Sequence, residues 1–419
     1  NSQRRSFYHP LHLTSKGLDV HHIRGRKVSH PEFLLNTLGS PLFHPYGWKG
    51  GTPVRKGCLK QGCPQGQEHV ACRHAGWDVM SGLINPEIDT LLEDTSRSFF
   101  LTLKVLPKRM RGQVGLLYLL ARVADTIADT KTGSEKQLIE ALETYGDVAQ
   151  GKSSTLPNFS DIAALQENEG EQRLMQNVAK VISSLEAFGE DDQERMRKCL
   201  EIIIGGQILD LQRFGSANET DSIGALNNSQ ELDDYAYRVA GSVGEFWTSM
   251  TLAHQISFNT EKETKMYGLG VRFGKALQMI NILRDIPEDL RFGRCYIPEK
   301  DLKRFNLKPD DLMDDKNIDA FRPLYDEYLD LTNEHLEAAV EYIAMLPDKQ
   351  FRLKASCMLP VLIGQRTVTL LRTGNILNSE ERIKVTRDEI KSYARKLLRA
   401  LLIPGGVARL LKKNKDNSK

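Results

Sequence analysis

The 419-residue chain has little of what marks several large protein classes. It contains no run of about 18 or more apolar residues, so we expect no transmembrane helix. β-branched alternation occurs only in short fragments, which argues against a sheet-rich fold. Cysteine is scarce, and Cys199, Cys295 and Cys357 lie far apart in sequence. We interpret these three as buried thiols in a reducing compartment rather than as a disulfide framework.

Composition divides the chain near Met80. Residues 1–79 hold eleven Lys or Arg against four Asp or Glu, and eight of the ten histidines. They show no helical or strand period, so we interpret them as a disordered, transit-peptide-like or non-native leader. We expect residues 80–403 to form one catalytic domain and residues 404–419 a basic tail. The expected location is the cytoplasm or a membrane surface, or a plastid or another organelle if the leader is a transit peptide.

From Met80 onward, apolar residues recur at helical spacing almost throughout. Predicted helices span 87–104, 112–130, 134–149, 159–188, 190–214, 231–257, 261–286, 317–346, 349–374 and 386–402. Gly241 and Gly244 are small residues at helical spacing, which indicates close packing of helices. An all-α domain of this size can form a helical barrel around a central cavity.

Two aspartate pairs carry most of the functional information: Asp125 with Asp129, and Asp285 with Asp289. Residues four apart in a helix lie one turn apart on the same face, so each pair can present two carboxylates to one place. Pro287 ends or kinks a helix, so we expect Asp289 on a loop just past the helix end. On facing helices, the two pairs would form a cage of oxygen ligands suited to Mg²⁺ and a bound diphosphate.

Each pair continues a polar stripe within an apolar helix. Tyr118 and Arg122 precede the first pair, and Gln278 and Asn281 precede the second. A solvated helix face would explain one isolated pair. Two pairs in apolar surroundings favour a functional site, because buried carboxylates need cations as partners.

Arginines near the stripes supply positive charge for a diphosphate. Arg122, Arg284 and Arg294 are placed for this role, since guanidinium groups bind phosphate oxygens at two points. Candidates to line an apolar cavity, each also explained by core packing, are Phe99, Phe100, Leu119, Val243, Phe246, Leu277 and Ile280.

Four segments in this order resemble the squalene and phytoene synthase family of head-to-head prenyl synthases. They are TSRSF at 95–99, YLLARVADTIAD at 118–129, YAYRVAGSVG at 235–244 and QMINILRDIPEDLRFGRCYIP at 278–298. The resemblance covers Met80 to about Arg395. It implies an all-α isoprenoid-synthase barrel around a central apolar cavity, and a Mg²⁺-dependent prenyltransferase.

The resemblance also implies roles for individual residues. Tyr235 matches a tyrosine that assists proton handling, and Asp125 and Asp285 join it as catalytic residues. Alternatively, Tyr235 has only a structural role and caps the core with its hydroxyl. The implied metal ligands are Asp125, Asp129, Asn281, Asp285 and Asp289. The implied substrate contacts are Ser96, Arg97, Tyr118, Arg122, Gln278, Arg284 and Arg294.

The product is less strongly determined. The long region after Pro298 and the segment CMLPVLIGQRTVT at 357–369 resemble squalene synthases, which implies farnesyl diphosphate as substrate and NADPH as reductant. In contrast, the sequence of the segment NILRDIPED is more similar to that of phytoene synthases, and the chain contains no glycine-rich nucleotide-binding motif. We expect a squalene synthase. The alternatives are phytoene, dehydrosqualene or presqualene diphosphate synthesis without reduction, and a helical scaffold that has kept the fold.

The C-terminal segment alternates apolar runs with basic residues from Tyr393 to Lys413. Peripheral contact with an anionic membrane would ease release of a greasy product. A last packed helix with a solvated basic end explains the pattern equally well. We expect a monomer that binds no nucleic acid.

Overall fold

The computed structural model describes residues 84–96, 103, 105–130, 133–215, 223–380 and 382–416, with backbone only beyond Lys412. Regular structure in these ranges is almost entirely helical, so the predicted all-α class is confirmed. The helices of the first half are α1 (Pro86–Ser96), α2 (Lys108–Ala128), α3 (Glu135–Ala149), α4 (Ser160–Ala164), α5 (Glu169–Gln176), α6 (Val178–Ser183) and α7 (Glu190–Phe214). Those of the second half are α8 (Ser229–Ala236), α9 (Ser242–His254), α10 (Thr260–Arg284), α11 (Ile286–Arg291), α12 (Glu299–Arg304), α13 (Ile318–Met345), α14 (Phe351–Thr373), α15 (Arg387–Leu401) and α16 (Gly406–Asp416).

Most predicted helices match the observed ones to within a few residues. The prediction for 159–188 is wrong in continuity, because that stretch is divided into α4, α5, α6 and a 3₁₀ turn at Ser184–Ala187. Asn168 starts the second of these helices, since its side chain accepts a 2.8 Å hydrogen bond from the amide of Gly170. Such local side-chain hydrogen bonds compete with helix continuation. The predicted helix 87–104 ends at Ser96 in the described residues, and most of its remainder lies outside them.

Helix α10 lies at the centre of the domain and packs against α9, α13 and α14, while α2 packs against α7 and α9. Helices α9 and α10 approach very closely. A Cβ atom added to Gly244 would lie 1.9 Å from the carbonyl oxygen of Gly270, and one added to Gly274 would lie 2.0 Å from that of Ala240, in the π-helical turn Tyr237–Gly241 that leads into α9. The interpretation of Gly244 as a helix-packing residue is therefore confirmed.

Two short strands form a parallel pair beside these helices. β1 (Gly224–Ala225) pairs with β2 (Arg294–Cys295). This pairing joins the connection after α7 to the segment after α11. It fixes the backbone that carries Arg294, so that its side chain extends from a restrained position.

Three cysteines lie in the interior of the described domain. Cys199, Cys295 and Cys357 are free and buried, as predicted, and burial raises the pKa of each thiol to about 12. None of the helices in the described ranges is long and apolar enough to cross a bilayer. The leader 1–79 lies outside the described residues, so its interpretation stays a prediction.

Candidate active site

The first aspartate pair lies at the end of α2. Asp125 is buried and accepts a 2.7 Å hydrogen bond from Nε2 of Gln207 on α7. Asp129 caps the helix one turn further on and is half-buried. The pair therefore continues one helix face from the interior to its edge, as the i,i+4 spacing predicts.

The second motif spans the junction of α10 and α11. Asp285 is the C-cap of α10, and α11 begins at the next residue. The prediction of a loop at Asp289 is wrong, because Asp289 lies in α11 and its amide donates a 3.0 Å bond to the carbonyl of Asp285. Pro287 stands in the first turn of the new helix, where its missing amide costs nothing. Asp289 is thereby buried rather than exposed on a loop.

Two arginines contact Asp285. Arg284 donates from Nε at 2.9 Å, and Arg382, far away in sequence, donates from Nη2 at 2.9 Å to the same Oδ1 atom. Burial opposes ionisation of this carboxyl, but the two guanidinium groups outweigh it and hold the pKa of Asp285 below its usual value. Asp285 is therefore an anion that is fully compensated by protein cations.

A chain of polar groups lies between the two motifs. The hydroxyl of Tyr235 donates to that of Tyr296 at 3.2 Å, and Tyr296 donates to Oδ2 of Asp210 at 2.9 Å. Arg294 forms a buried ion pair with the same oxygen at 3.2 Å. The two tyrosine rings are stacked with centroids 4.6 Å apart.

This chain joins both motifs electrostatically. Burial and the charge of Asp210 raise the pKa of Tyr235 well above its usual value, and Asp289 adds to the effect. Burial disfavours the charged form of Arg294. The negative charge of Asp210, with a smaller contribution from Asp129, outweighs burial and raises the pKa of Arg294. The charges of the first and second motifs therefore act on one buried network.

Sequence reasoning missed Asp210 and Tyr296 as site residues. Asp210 stands alone in the apolar run Ile-Leu-Asp-Leu of α7, three residues after Gln207. A single carboxylate in an apolar helix face that also carries a polar residue at i−3 is a signal that could have identified it. Tyr296 lies within the quoted segment 278–298 but carries no periodic signal of its own.

The remaining predicted residues are spread along α1, α2 and α10. Ser96 is buried and its hydroxyl donates to the carbonyl of Leu92, while Tyr118 donates to that of Thr95 at 3.3 Å. Arg122 forms a 2.6 Å ion pair with Glu171 of α5. Arg97, Phe99 and Phe100 lie outside the described residues. The structure therefore brings Tyr118 and Arg122 to the same helix face as Asp125, but engages them with protein groups.

The donor set fits a hard cation and its phosphate partner. Asn281 and Gln278 are both buried beside the second motif, and Oε1 of Gln278 has no hydrogen-bond partner among the described residues. Together with the aspartates this gives oxygen donors only, which Mg²⁺ prefers. Within the described residues, however, no three His, Cys, Asp or Glu side chains lie close enough to hold one metal ion. The predicted four-carboxylate cage is therefore not formed by the protein alone, and a phosphate ligand would have to complete it.

An apolar cavity opens beside Asp125 and Gln207. Of the predicted lining residues, Val243, Phe246 and Leu277 contact the cavity, whereas Leu119 and Ile280 lie in the core outside it. Lining residues that the sequence did not single out include Trp247, Phe273, Tyr342, Ser356 and Cys357. Its walls are predominantly apolar, and its charged lining residues are Arg122 and Asp125.

Comparisons with known proteins agree with this arrangement. The family model described as squalene/phytoene synthase matches residues 92–389. The 15-cis-phytoene synthase of Synechocystis sp. is 27% identical over 255 residues, which cover 60% of this chain and 66% of that protein. The bifunctional lycopene cyclase/phytoene synthase of Leptosphaeria maculans is 28% identical over 260 residues, covering 61% of this chain and 41% of that protein. The chain thus spans less than two thirds of the length of these two relatives.

A solved structure shares the fold. TcSQS in complex with the ligand E5700 matches with a TM-score of 0.63 and 18% identity, over 79% of this chain and 90% of TcSQS. That identity is too low to carry more than the fold. Because the family model covers most of the described domain, including both aspartate motifs and the Tyr235 network, the chain belongs to the squalene/phytoene synthase family.

Proposed function

We propose that this protein is a phytoene-type synthase, which joins two geranylgeranyl diphosphates head to head through a cyclopropyl diphosphate and releases an unreduced hydrocarbon. The observation that carries the proposal is an apolar cavity lined by Asp125, Arg122 and Gln207, in a domain that also holds the second aspartate motif and a buried Tyr–Asp–Arg network. Phytoene synthases among the curated relatives support the product class.

We assign diphosphate binding to the two aspartate motifs, of which Asp125 lines the cavity. Bound Mg²⁺ would neutralise the leaving diphosphate as its bond to carbon breaks. Asp125, Asp129, Asn281, Asp285 and Asp289 are the residues that would hold it, and their oxygen donors suit that ion. Arginine side chains beside these ligands would supply further hydrogen bonds to the phosphate oxygens.

The apolar end of the cavity protects the carbocation. A cation formed by loss of diphosphate reacts with any water that reaches it, so the prenyl chain needs walls without free polar groups. Val243, Phe246 and Leu277 provide such walls, and Trp247 and Phe273 add aromatic faces, whose electron density stabilises nearby cations.

Proton removal is the role that we assign to the Tyr235 network. The raised pKa keeps the Tyr235 phenol neutral, so it accepts a proton from carbon only if it passes its own proton on. The observed hydrogen bonds run in that direction, from Tyr235 to Tyr296 and from Tyr296 to Asp210. As the carbon–hydrogen bond breaks, one proton enters at Tyr235 and another reaches the Asp210 carboxylate.

A squalene synthase is the second candidate. The sequence favours it through the long region after Pro298, which folds into α12 to α16. It would require NADPH to deliver a hydride to the final cation. The curated relatives support the unreduced product instead, so we do not propose a reductase step.

The deciding experiment is product analysis by gas chromatography with geranylgeranyl or farnesyl diphosphate, each with Mg²⁺ and with or without NADPH. We expect phytoene from the longer substrate in equal yield with and without NADPH. Squalene formed from farnesyl diphosphate only when NADPH is present would replace this proposal by the squalene candidate. Absence of diphosphate release from either substrate would favour the scaffold alternative.

A further inference from the structure

A short extended segment crosses the second aspartate motif from the C-terminal side. In Arg382–Val385 the side chains alternate, with Ile383 and Val385 packed against the hydrophobic core and Arg382 and Lys384 exposed. Ile383 is seated on Gly374, where an added Cβ would lie 2.4 Å from its Cδ1 atom. The backbone that carries Arg382 is therefore anchored beside α14.

Arg382 uses this anchored position to bind two acidic groups. Its Nη2 atom lies 2.9 Å from Oδ1 of Asp285, and its Nη1 atom lies 3.5 Å from Oε1 of Glu288. The Asp285 side chain is only 18% exposed, whereas that of Arg382 is 52% exposed. A partly solvated arginine thus reaches into a largely buried carboxylate that already has Arg284 as a partner.

The contact conflicts with metal binding at the same atom. Oδ1 of Asp285 accepts from both Arg284 and Arg382, and a Mg²⁺ ligand oxygen must face the ion at about 2.0–2.1 Å. A guanidinium group at hydrogen-bond distance from that oxygen would repel the ion strongly. Arg284 is fixed by its place in the chain next to Asp285, whereas Arg382 belongs to a separate segment and can withdraw.

We propose that the Arg382 guanidinium group competes with a metal ion for Asp285, and that metal loading displaces the Arg382 side chain from this carboxylate. The inference rests on the metal-binding part of the proposed function. It makes the connection between α14 and α15 responsive to the state of the second motif. Charge balance supports the exchange, because one resident cation leaves as another arrives.

The test compares Arg382→Gln with Lys384→Gln. Both variants remove one positive charge from exposed positions two residues apart, but only Arg382 contacts Asp285. Binding of Mn²⁺, a paramagnetic substitute for Mg²⁺, is measured by electron paramagnetic resonance with inorganic diphosphate present to supply the phosphate ligand that completes the site. We expect Arg382→Gln to bind Mn²⁺ about three- to tenfold more tightly, because its competitor is gone, and Lys384→Gln to change affinity less than about twofold, because its charge is screened.

A second readout follows the segment itself. Hydrogen exchange of the backbone amides in 382–386 should become faster in the wild-type protein when Mn²⁺ binds, and should already be fast in metal-free Arg382→Gln. Equal Mn²⁺ affinities for the two variants, or exchange indifferent to Mn²⁺, would overturn the inference and leave the proposed reaction intact. No Mn²⁺ binding by the wild-type protein in the presence of diphosphate would overturn both this inference and the proposed metal site.

Discussion

The hydroxyl of Tyr296 donates a 2.9 Å hydrogen bond to Oδ2 of Asp210, although the two residues are 86 positions apart in the chain. Arg294 reaches the same oxygen, and Tyr235 donates to Tyr296 from the other side. A buried carboxylate is costly unless it is paired and hydrogen-bonded, and here both needs are met. Oδ2 of Asp210 is therefore paired and hydrogen-bonded at the point where the proposed relay needs an acceptor.

Tyr296→Phe tests the relay without changing the size of the side chain. Loss of the hydroxyl breaks the path from Tyr235 to Asp210, so we expect kcat to fall on the order of 10- to 100-fold. The measurement is steady-state turnover with the preferred diphosphate. Tyr328→Phe is the matched control, because it also removes a tyrosine hydroxyl bonded to an aspartate, Asp301. Equal turnover in both variants would exclude the relay.

Asp125→Asn and Asp285→Asn each remove one carboxylate from a proposed metal ligand set. We expect turnover to fall about a hundredfold or more, because the leaving diphosphate loses its neutralising ion. Both variants should stay folded, since neither change alters side-chain volume, but Asp285→Asn should have the lower melting temperature, because Arg284 and Arg382 lose their anionic partner. Asp233→Asn serves as control, because this exposed aspartate pairs with Lys275. Wild-type turnover in either site variant would refute the assignment of that motif.

His335 should make stability sensitive to mild acid. Burial first, and then the charges of Arg272 and Lys275, lower the pKa of His335 to about 4. An unfolded histidine, with a pKa of about 6.5, takes up a proton that the folded one refuses, so stability falls as the pH drops from about 6.5 through about 4. His335→Gln keeps an acceptor for Arg272 but does not titrate.

Between pH 7 and pH 5, the wild-type protein should therefore lose about 2 kcal/mol more of its free energy of unfolding than His335→Gln does. Urea denaturation at the two pH values measures the difference. Identical losses in the two proteins would mean that other groups cause the acid sensitivity.

The end of α15 presents an apolar surface beside basic residues. Leu398, Leu402 and Ile403 are 62%, 84% and 52% exposed. Nearby basic residues are Lys391, Arg395, Lys396, Arg399, Arg409 and Lys412. This combination suits peripheral attachment to an anionic membrane, where apolar side chains enter the interface and cations meet headgroups.

We therefore expect the double variant Leu402→Ser/Ile403→Ser to bind anionic liposomes several-fold more weakly in co-sedimentation. Met313→Ser is a suitable control, because Met313 is also 52% exposed but lies elsewhere on the surface. Raised salt should weaken binding of the wild-type protein. Sedimentation that is equal for the double variant and the control would leave the C-terminal segment as packed helices with a solvated basic face.

The sequence by itself determined the all-α class, most helix boundaries and the two aspartate motifs. These features depend on spacing within one helix, such as the four-position spacing of Asp125 and Asp129, and helical geometry converts that spacing directly into a shared face. The sequence also predicted close helix packing at Gly244, which lacks the side chain that would prevent it, whereas only the structure identified α10 as the partner helix.

Other features were decided only by tertiary structure, because they join residues that no periodic pattern links. Asp210 contacts Tyr296 and Arg294 only in the folded protein, in which the β1–β2 pair lies beside α7. Arg382 reached Asp285 from 97 positions away through an anchored extended segment. Asp289 is buried because Pro287 lies in the first turn of a new helix rather than in a loop. Proline is compatible with both positions, and the packing of the chain after α10 decides between them.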